Sequence, residues 1–366
     1  MIPQGIQRRL TQRLQTYREV REQRLPDLRV SATPRGDGPA IRYLCPDLSR
    51  PSGGIRAIYR HVDTLTAAGF DAAVLHRRKG FSCSWFEHRT PVVSAETAGL
   101  HRGDVLVLPE YAAPALGTLP EGLRLVVFNQ NAYNTFALSP FDEVPRGAPY
   151  AGVPALEAVL AVSEPNVAYL RFAYPDLWIE RVRNVVDPAL FHPGDAGGAG
   201  DTEGTEGTEG TVRARRIALM PRRRAGDLAQ VLHLLRARGA LDGWEVVPIH
   251  GRSEAETAAL LRSCAVFFSL SHQEGFGMPP AEAMASGCYV VGFTGVAGQE
   301  FFDPAFCSPV PEGDVLAFAQ TAERVLAEGP AALAGRARAA GDHIRARYGP
   351  DQQREDLVGF FGKVLG

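Results

Sequence analysis

The chain has 366 residues, 45% apolar and 22% charged, with a formal net charge of −2. That length suits two domains rather than one core, and the near-neutral balance excludes a global basic field for nucleic acid. Five scattered cysteines (Cys45, Cys83, Cys264, Cys288, Cys307) with no C-x-x-C pair exclude a disulfide framework and a zinc site.

They read as reduced thiols in a cytoplasmic protein. Met1 to Arg9 lacks the apolar core of a signal peptide, and no apolar run approaches the ~20 residues needed to cross a bilayer. Residues 1 to about 38 are arginine-rich, with Ile2, Ile6, Leu10 and Leu14 at four-residue spacing. This reads either as an extension packed on the first domain or as an amphipathic helix on an anionic membrane or a protein partner. A weak peripheral contact through residues 1–25 therefore stays open. Ser31 to Pro39 reads as a linker.

From Ala40 a strand–helix alternation is predicted. Ile41 to Cys45 is a strand candidate, followed by a polar loop ending in Gly53 and Gly54. Ile55, Ile58, Tyr59, Val62 and Leu65 then form a helical stripe that stops at Gly69. Ala72–Leu75, Val105–Leu108, Leu125–Phe128 and Val159–Val162 are further strand candidates. Continuous apolar runs of this kind suit a parallel sheet covered on both faces. Asn129, Gln130 and Asn131 follow a strand, at the end where open α/β sheets bind ligands. They read equally as donors and acceptors for a sugar's hydroxyls or as a polar turn.

Gly194 to Thr211, with Thr-Glu-Gly three times over, is acidic and has almost no apolar residues, the composition of a disordered linker. A second alternation begins at Ile217–Met220 and reaches Arg222, Arg223 and Arg224. Trp244–Ile249 reads as a strand leading to a loop with Arg252. Ala265–Leu270 reads as another strand, and after it comes the stretch around which the chain is organised, Ser271 to Gly287, reading SHQEGFGMPPAEAMASG.

That stretch predicts a strand end, a glycine loop and a helix opening on Pro279 and Pro280. The first amides of a helix and the positive end of its dipole favour a phosphate. Gly275 and Gly277 let backbone turn and a ligand approach closely. Carboxylates would repel a bare phosphate, so Glu274 and Glu282 beside such a site indicate a ligand that is anionic in its middle and rich in hydroxyls at both ends. A nucleotide-sugar has that constitution. The plainer reading of the same residues is an ordinary helix start in which Glu282 complements the dipole.

Glu274 to Glu282 resembles the E-x7-E motif of the GT-B glycosyltransferases, in particular glycosyltransferase family four, and the similarity extends through EGFGMPPAEAMASGCYVV. Arg183 to Pro193 is similar to the family's inter-domain segment, with Val185 where glycine is usual. The resemblance implies an α/β protein of GT-B fold: two Rossmann-like, doubly wound domains facing a cleft, with a C-terminal helix crossing back to the first domain. It implies an N-terminal extension (1–39), an acceptor domain (40–193), a low-complexity linker (194–214), a donor domain (215–350) and a crossing helix (351–366).

By the same resemblance Glu282 would bind the ribose and Glu274 would lie by the donor sugar. Gly275, Phe276, Gly277 and Met278 would line the donor, Gly53 and Gly54 would form the N-terminal glycine loop, and Arg252 would border the base. Relatives place an Arg and a Lys after the first strand of the donor domain. Arg222 stands at the first position, and Arg223 or Arg224 would replace the lysine. In many relatives a His stands in the acceptor region where this chain has Asn129 to Asn131.

The implied activity is retaining transfer of a sugar from a nucleoside diphosphate donor to an acceptor hydroxyl of a glycan, lipid or small molecule. No D-x-D motif stands out, so no metal is implied, and the nucleotide-sugar is a co-substrate rather than a cofactor. Two alternatives remain: a nucleotide-sugar epimerase of the same fold, and a non-catalytic nucleotide-sugar-binding module. A pyridoxal-phosphate phosphorylase needs a Schiff-base lysine, and the only two lysines, Lys79 and Lys363, stand in unsuitable contexts.

Overall fold

The computed structural model describes residues 25–136, 145–194, 213–221 and 223–366. The basic segment 1–24, Arg222 and most of the Thr-Glu-Gly stretch lie outside the described residues. The chain divides into two compact units. The first takes the described parts of Met1–Val162 with Asn166–Val182 and Arg354–Gly366; the second takes Ser163–Pro165 and the described parts of Arg183–Gln353.

In the first unit β2 (Ile41–Leu44), β3 (Ala72–His76), β4 (Val92–Ser94), β6 (Val105–Pro109), β7 (Arg124–Asn129), β8 (Leu156–Ala161) and β9 (Trp178–Arg181) form one sheet in the order β4-β3-β2-β6-β7-β8-β9. Every pairing in it is parallel. The order reverses between β2 and β6, which makes the crevice outside their carboxyl ends the place where such a sheet takes ligands. β2, β3 and β6 are buried along their whole length, so both faces are covered, as their unbroken apolar sequences require.

Helix α1 (Gly53–Ala67) buries Ile55, Ile58, Tyr59, Val62 and Leu65, the stripe seen in the sequence. Burying each such side chain stabilises by about 1.5–3 kcal/mol. The helix stops where Gly69 turns to φ +91°. There Gly69 N–H donates to Thr66 O at 3.0 Å and Phe70 N–H to Leu65 O at 3.0 Å, which satisfies two terminal carbonyls.

The stretch expected to be a linker, Ser31 to Pro39, instead contributes most of a strand. β1 (Val30–Pro34) pairs in parallel with β5 (Leu100–Arg102). Its exposed, polar sequence carries no apolar pattern; the pairing is made by a partner some 70 positions on, with Val30 opposite Leu100.

In the second unit β10 (Arg216–Leu219), β11 (Glu245–Pro248), β12 (Val266–Glu274), β13 (Tyr289–Val296) and β14 (Ser308–Val310) form a parallel sheet in the order β11-β10-β12-β13-β14. This is the 2-1-3-4-5 order, whose switch point lies between β10 and β12. Helices α3 (Ala225–Ala237), α4 (Glu254–Ser263), α5 (Met278–Ala285) and α6 (Val315–Arg347) belong to it. α4 opens on a capping box in which Ser253 and Glu256 satisfy each other's backbone. α6 is two helical segments meeting at Gly329, φ 77° and ψ 164°, before Pro330.

α2 (Glu164–Ala173) begins in the second unit and continues in the first. α7 (Pro350–Leu365) closes the chain, and its part from Arg354 belongs to the first unit. There Phe360 packs on Trp178 and Phe361 on Tyr43, and Lys363 pairs with Glu180 at 3.0 Å. No helix among the described residues is long and apolar enough to cross a membrane.

Candidate functional site

Of the residues singled out in the second half of the chain, Arg223, Arg224 and Glu274 meet at the switch point of the second sheet. β10 ends at Leu219, shortly before Arg223 and Arg224 in the chain, and β12 ends on Glu274. The sequence placed Glu274 at the start of a loop, whereas the strand continues to it past an irregularity between Ser271 and Glu274, where it pairs with Val296 of β13. Glu274 thus sits at the carboxyl edge of the sheet, on the end of its central strand, rather than on a free loop, which fixes its position.

Arg223 Nε lies 2.9 Å from Glu274 Oε1, and Arg223 also donates to His272 O at 3.2 Å. The arginine side chain is 42% exposed and the carboxylate 17%. Arg224 is held differently. It pairs with Asp227 at 3.0 Å and Glu312 at 2.9 Å, donates to Ser271 O at 3.1 Å, and lies over the Phe293 ring. Glu312 in turn accepts from Gly295 N–H at 2.7 Å and Thr294 Oγ1 at 3.1 Å. Arg224 therefore braces the strand ends, and Arg223 is the more exposed of the two.

Gly277 precedes α5 with φ 99° and caps it without a side chain. Pro279 and Pro280 lack N–H groups, so the amides at this end before Ala281 belong to Gly277 and Met278. Ala281 N–H turns back to Gly277 O at 3.4 Å. Gly275 and Phe276 are buried just before this turn, Phe276 packing on Phe301 and Tyr348. Glu282 is half-buried on the helix. Arg252 is exposed, 3.6 Å from Glu256 of the capping box that follows it.

Among the described residues three that are not glycine have positive φ: Arg224 (48°), Gln273 (45°) and Val296 (67°). All three border this edge. Val296 is the most telling, because a β-branched residue at φ 67°, ψ −57° is outside the usual allowed regions. Strain of this kind, about 1–3 kcal/mol per residue, persists where surrounding structure imposes it and clusters at ligand sites. Neither Gln273 nor Val296 carries a sequence signal for this, and Glu312 stands far along the chain from the arginine it holds.

In the first unit Gly53 opens α1, and Gly54 lies against Gln130. A Cβ on Gly54 would stand 3.0 Å from Gln130 Oε1, and Gln130 Nε2 donates to Gly54 O at 3.2 Å. Gln130 N–H also donates to Glu110 Oε2 at 3.2 Å. Glu110 is buried, and burial pushes its carboxyl above the usual range. The ends of β2, β6 and β7 thus converge on Gly54, Glu110 and Gln130. Asn129 is turned inward: fully buried, it donates to Thr135 Oγ1 at 2.8 Å and Tyr150 OH at 3.0 Å, which uses both amide protons in the core. Asn131 accepts from Tyr133 N–H at 3.1 Å, capping the short 3-10 turn after β7.

With this geometry in place the likenesses to known proteins take on meaning. A family model described as "Glycosyl transferases group 1" matches residues 224–328, from Arg224 through the glycine loop to α6. Residues 224–328 thus resemble a group 1 glycosyltransferase domain.

This domain includes Glu274, Glu282 and Arg252, while Arg222 and Arg223 lie just before the matched segment. An α-1,6-glucosyltransferase of Actinobacillus pleuropneumoniae serotype 7 is 36% identical over 77 residues, which are 20% of this chain and 23% of that protein. The chain thus matches about a quarter of the length of this curated relative. A sucrose-phosphate synthase from Thermosynechococcus elongatus aligns over 89% of this chain and 99% of its own, with TM-score 0.64 and 13% identity. A glycosyltransferase from Rickettsia africae aligns over 90% and 99%, with TM-score 0.63 and 14% identity. Anabaena HepE, in complex with UDP and glucose, aligns over 88% and 99%, with TM-score 0.61 and 14% identity. At such identities the likeness is one of fold, and the fold is GT-B.

Proposed function

We propose that the chain is a retaining, metal-independent glycosyltransferase whose second unit binds a UDP-linked sugar and whose first unit binds the acceptor. The carrying observation is the Arg223–Glu274 pair at the switch point of the second sheet, one turn of loop before the glycine-capped start of α5. When the bond from the anomeric carbon to the diphosphate breaks, the electron pair stays on a phosphate oxygen. Arg223 and Arg222 would oppose that charge, together with the positive end of the α5 dipole and the amides of Gly277 and Met278. With Pro279 and Pro280 supplying no N–H, the arginines carry a larger share than a helix start alone would leave them.

Glu274 beside the donor sugar would hold hydroxyls and be itself oriented by Arg223; Glu282 would hold the ribose. The choice of UDP rests on the HepE complex with UDP and glucose. The choice of glucose rests on the curated relative's name. Ligand that binds only the folded state raises the melting midpoint by mass action. UDP is therefore expected to raise the Tm of the wild type in the presence of EDTA, and Glu282→Ala to abolish the rise while leaving the unliganded Tm in place. No response to UDP, GDP, dTDP, ADP or CDP, or a full UDP response in Glu282→Ala, would sink this reading.

A further inference from the structure

The loop from β3 to β4, residues 77–91, builds a cavity of about 580 Å³ in the first unit, lined by Cys83, Phe86, Glu87, His88 and Arg89. That is the size range of small-ligand sites. The loop is anchored on α1: the Tyr59 ring meets Phe86 at 5.1 Å and His88 at 4.7 Å, and Cys83 N–H donates to Tyr59 OH at 3.3 Å. A second anchor is the buried Asp47 carboxylate, which accepts from His76 Nδ1 at 3.0 Å, from the amides of Arg77 and Arg78, and from Arg78 Nε at 3.1 Å. The cavity is held from two sides by buried hydrogen bonds.

Its chemistry is unlike the rest of the chain. Between Arg77 and Arg89 stand four basic residues (Arg77, Arg78, Lys79, Arg89) and one acidic residue, Glu87, in a protein whose net charge is −2. Asp47 is committed to His76 and Arg78. Arg89 is exposed, lines the cavity and makes no ion pair among the described residues. Glu87 is likewise exposed and without an ion pair there, an acceptor for hydroxyls. Phe86 is held against Tyr59, Trp85 and His88, with the Arg56 guanidinium over its ring at 5.6 Å, and so forms a fixed apolar wall. In the wall, His88 Nε2 lies 3.1 Å from the carbonyl of Cys83 and 3.0 Å from Ser82 Oγ, and the buried Nδ1 has no hydrogen-bond partner among the described residues.

We propose that this cavity binds the acceptor, and that the acceptor is an anionic sugar or cyclic polyol carrying a phosphate or carboxylate that Arg89 engages. An arginine fork suits either oxyanion through paired charge-assisted hydrogen bonds, and Glu87 takes ring hydroxyls. The assignment of this ligand as acceptor rests on the transferase reading above; the anion selectivity of the cavity does not.

The test uses the full chain and two matched pairs, glucose-6-phosphate against glucose and glucuronate against glucose. Tm is read for the wild type, for Arg89→Gln and for Arg238→Gln, the last an exposed arginine of the second unit that pairs with Glu323 at 2.7 Å. UDP release from UDP-glucose is read with the same additives. The expected result is stabilisation and faster UDP release with an anionic member of a pair and not with glucose. Apparent affinity should be about tenfold or more weaker in Arg89→Gln and unchanged in Arg238→Gln. Which anion responds separates phosphate from carboxylate recognition. Equal responses to glucose, no response to either anion, or an undiminished response in Arg89→Gln overturns the proposal. UDP stabilisation without any anion response defeats the cavity alone. An anion response without UDP binding defeats its acceptor role.

Discussion

Arg223 and Arg224 are neighbours with the same side chain, and their surroundings give them opposite work. Arg224 is 16% exposed and shared among Asp227, Glu312, Ser271 O and the Phe293 ring. Removing it strips a half-buried carboxylate of its cation, a cost of about 1–3 kcal/mol, which lowers Tm by several degrees at about 2–4 °C per kcal/mol for a unit of this size. Among the described residues Arg223 reaches His272 and Glu274 at the end of β12. Arg223→Ala is expected to leave Tm within a degree or two and to cut turnover of UDP-glucose by about 100-fold or more, the usual cost of losing one preorganised charge donor. Calorimetry and a UDP-release assay on the two single variants separate the roles. If Arg223→Ala melts early and Arg224→Ala retains full Tm, the assignment is reversed. The pair was legible in the sequence only as a basic run; which member faces a ligand depends on Glu312 and Phe293, which no spacing rule connects to it.

At the scale of the element, the second unit is organised by how closely β12 and β13 approach. A Cβ on Gly292 (φ +132°) would stand 2.3 Å from Ser269 O and 2.7 Å from the Phe318 ring, so backbone must shift to admit it. A Cβ on Gly295 (φ +65°) would stand 2.7 Å from Ser271 Cβ and 3.0 Å from Glu274 Cγ. Gly292→Ala is therefore expected to cost about 3 kcal/mol or more through overpacking and a strained φ, read as a lower urea midpoint. Gly54→Ala makes the opposite case. That glycine sits in the first turn of α1 without positive φ, and its nearest neighbour is the flexible end of Gln130. The variant should keep or slightly raise stability, since alanine is favoured over glycine in a helix by about 1 kcal/mol. A loss of several degrees in Gly54→Ala would mean that Gln130 is rigidly held. Arg213 binds the same unit together from outside the motif, donating to Pro193 O, Leu261 O, Cys264 O and Ser286 O at the ends of α4 and α5.

For the molecule as a whole, pH reports on the first unit. His61 is fully buried against Tyr43 and Phe128, and burial lowers its pKa to about 3 from an ordinary 6.5. A base with a depressed folded pKa gives its full stability above the unfolded value and loses it as pH falls, because only the unfolded chain takes the proton. Between pH 6.5 and about 3 this one group should cost up to about 1.4 kcal/mol per pH unit. Asp47, whose carboxyl is held below its ordinary value despite burial by His76 and the Arg77 and Arg78 amides, adds to the loss only in more acid solution. Urea midpoints of wild type and His61→Leu at pH 7 and pH 5 should therefore converge at the lower pH. A difference that is constant with pH would place His61 in contact with solvent.

Several features follow from the sequence without any tertiary knowledge. The central strands of both sheets announce themselves as unbroken apolar runs because both of their faces are buried, which leaves no room for alternation. The stripe of α1 and its stop at Gly69 are local, set by helical period and by a residue that tolerates positive φ. The glycine-capped start of α5 with Glu274 and Glu282 around it is local too, and it carries the resemblance to the GT-B glycosyltransferases. The rest is decided by partners distant along the chain. β1 and β5 are strands because they meet each other; Asn129 is a core residue because Thr135 and Tyr150 take its protons; Val296 is strained because β13 must end beside Glu274. The 2-1-3-4-5 order that sets Arg223 against Glu274 is a property of the assembled sheet. Periodicity and turn chemistry fix an element from its own residues, whereas strand order, side-chain direction and charge pairing arise only when elements far apart in sequence share one core.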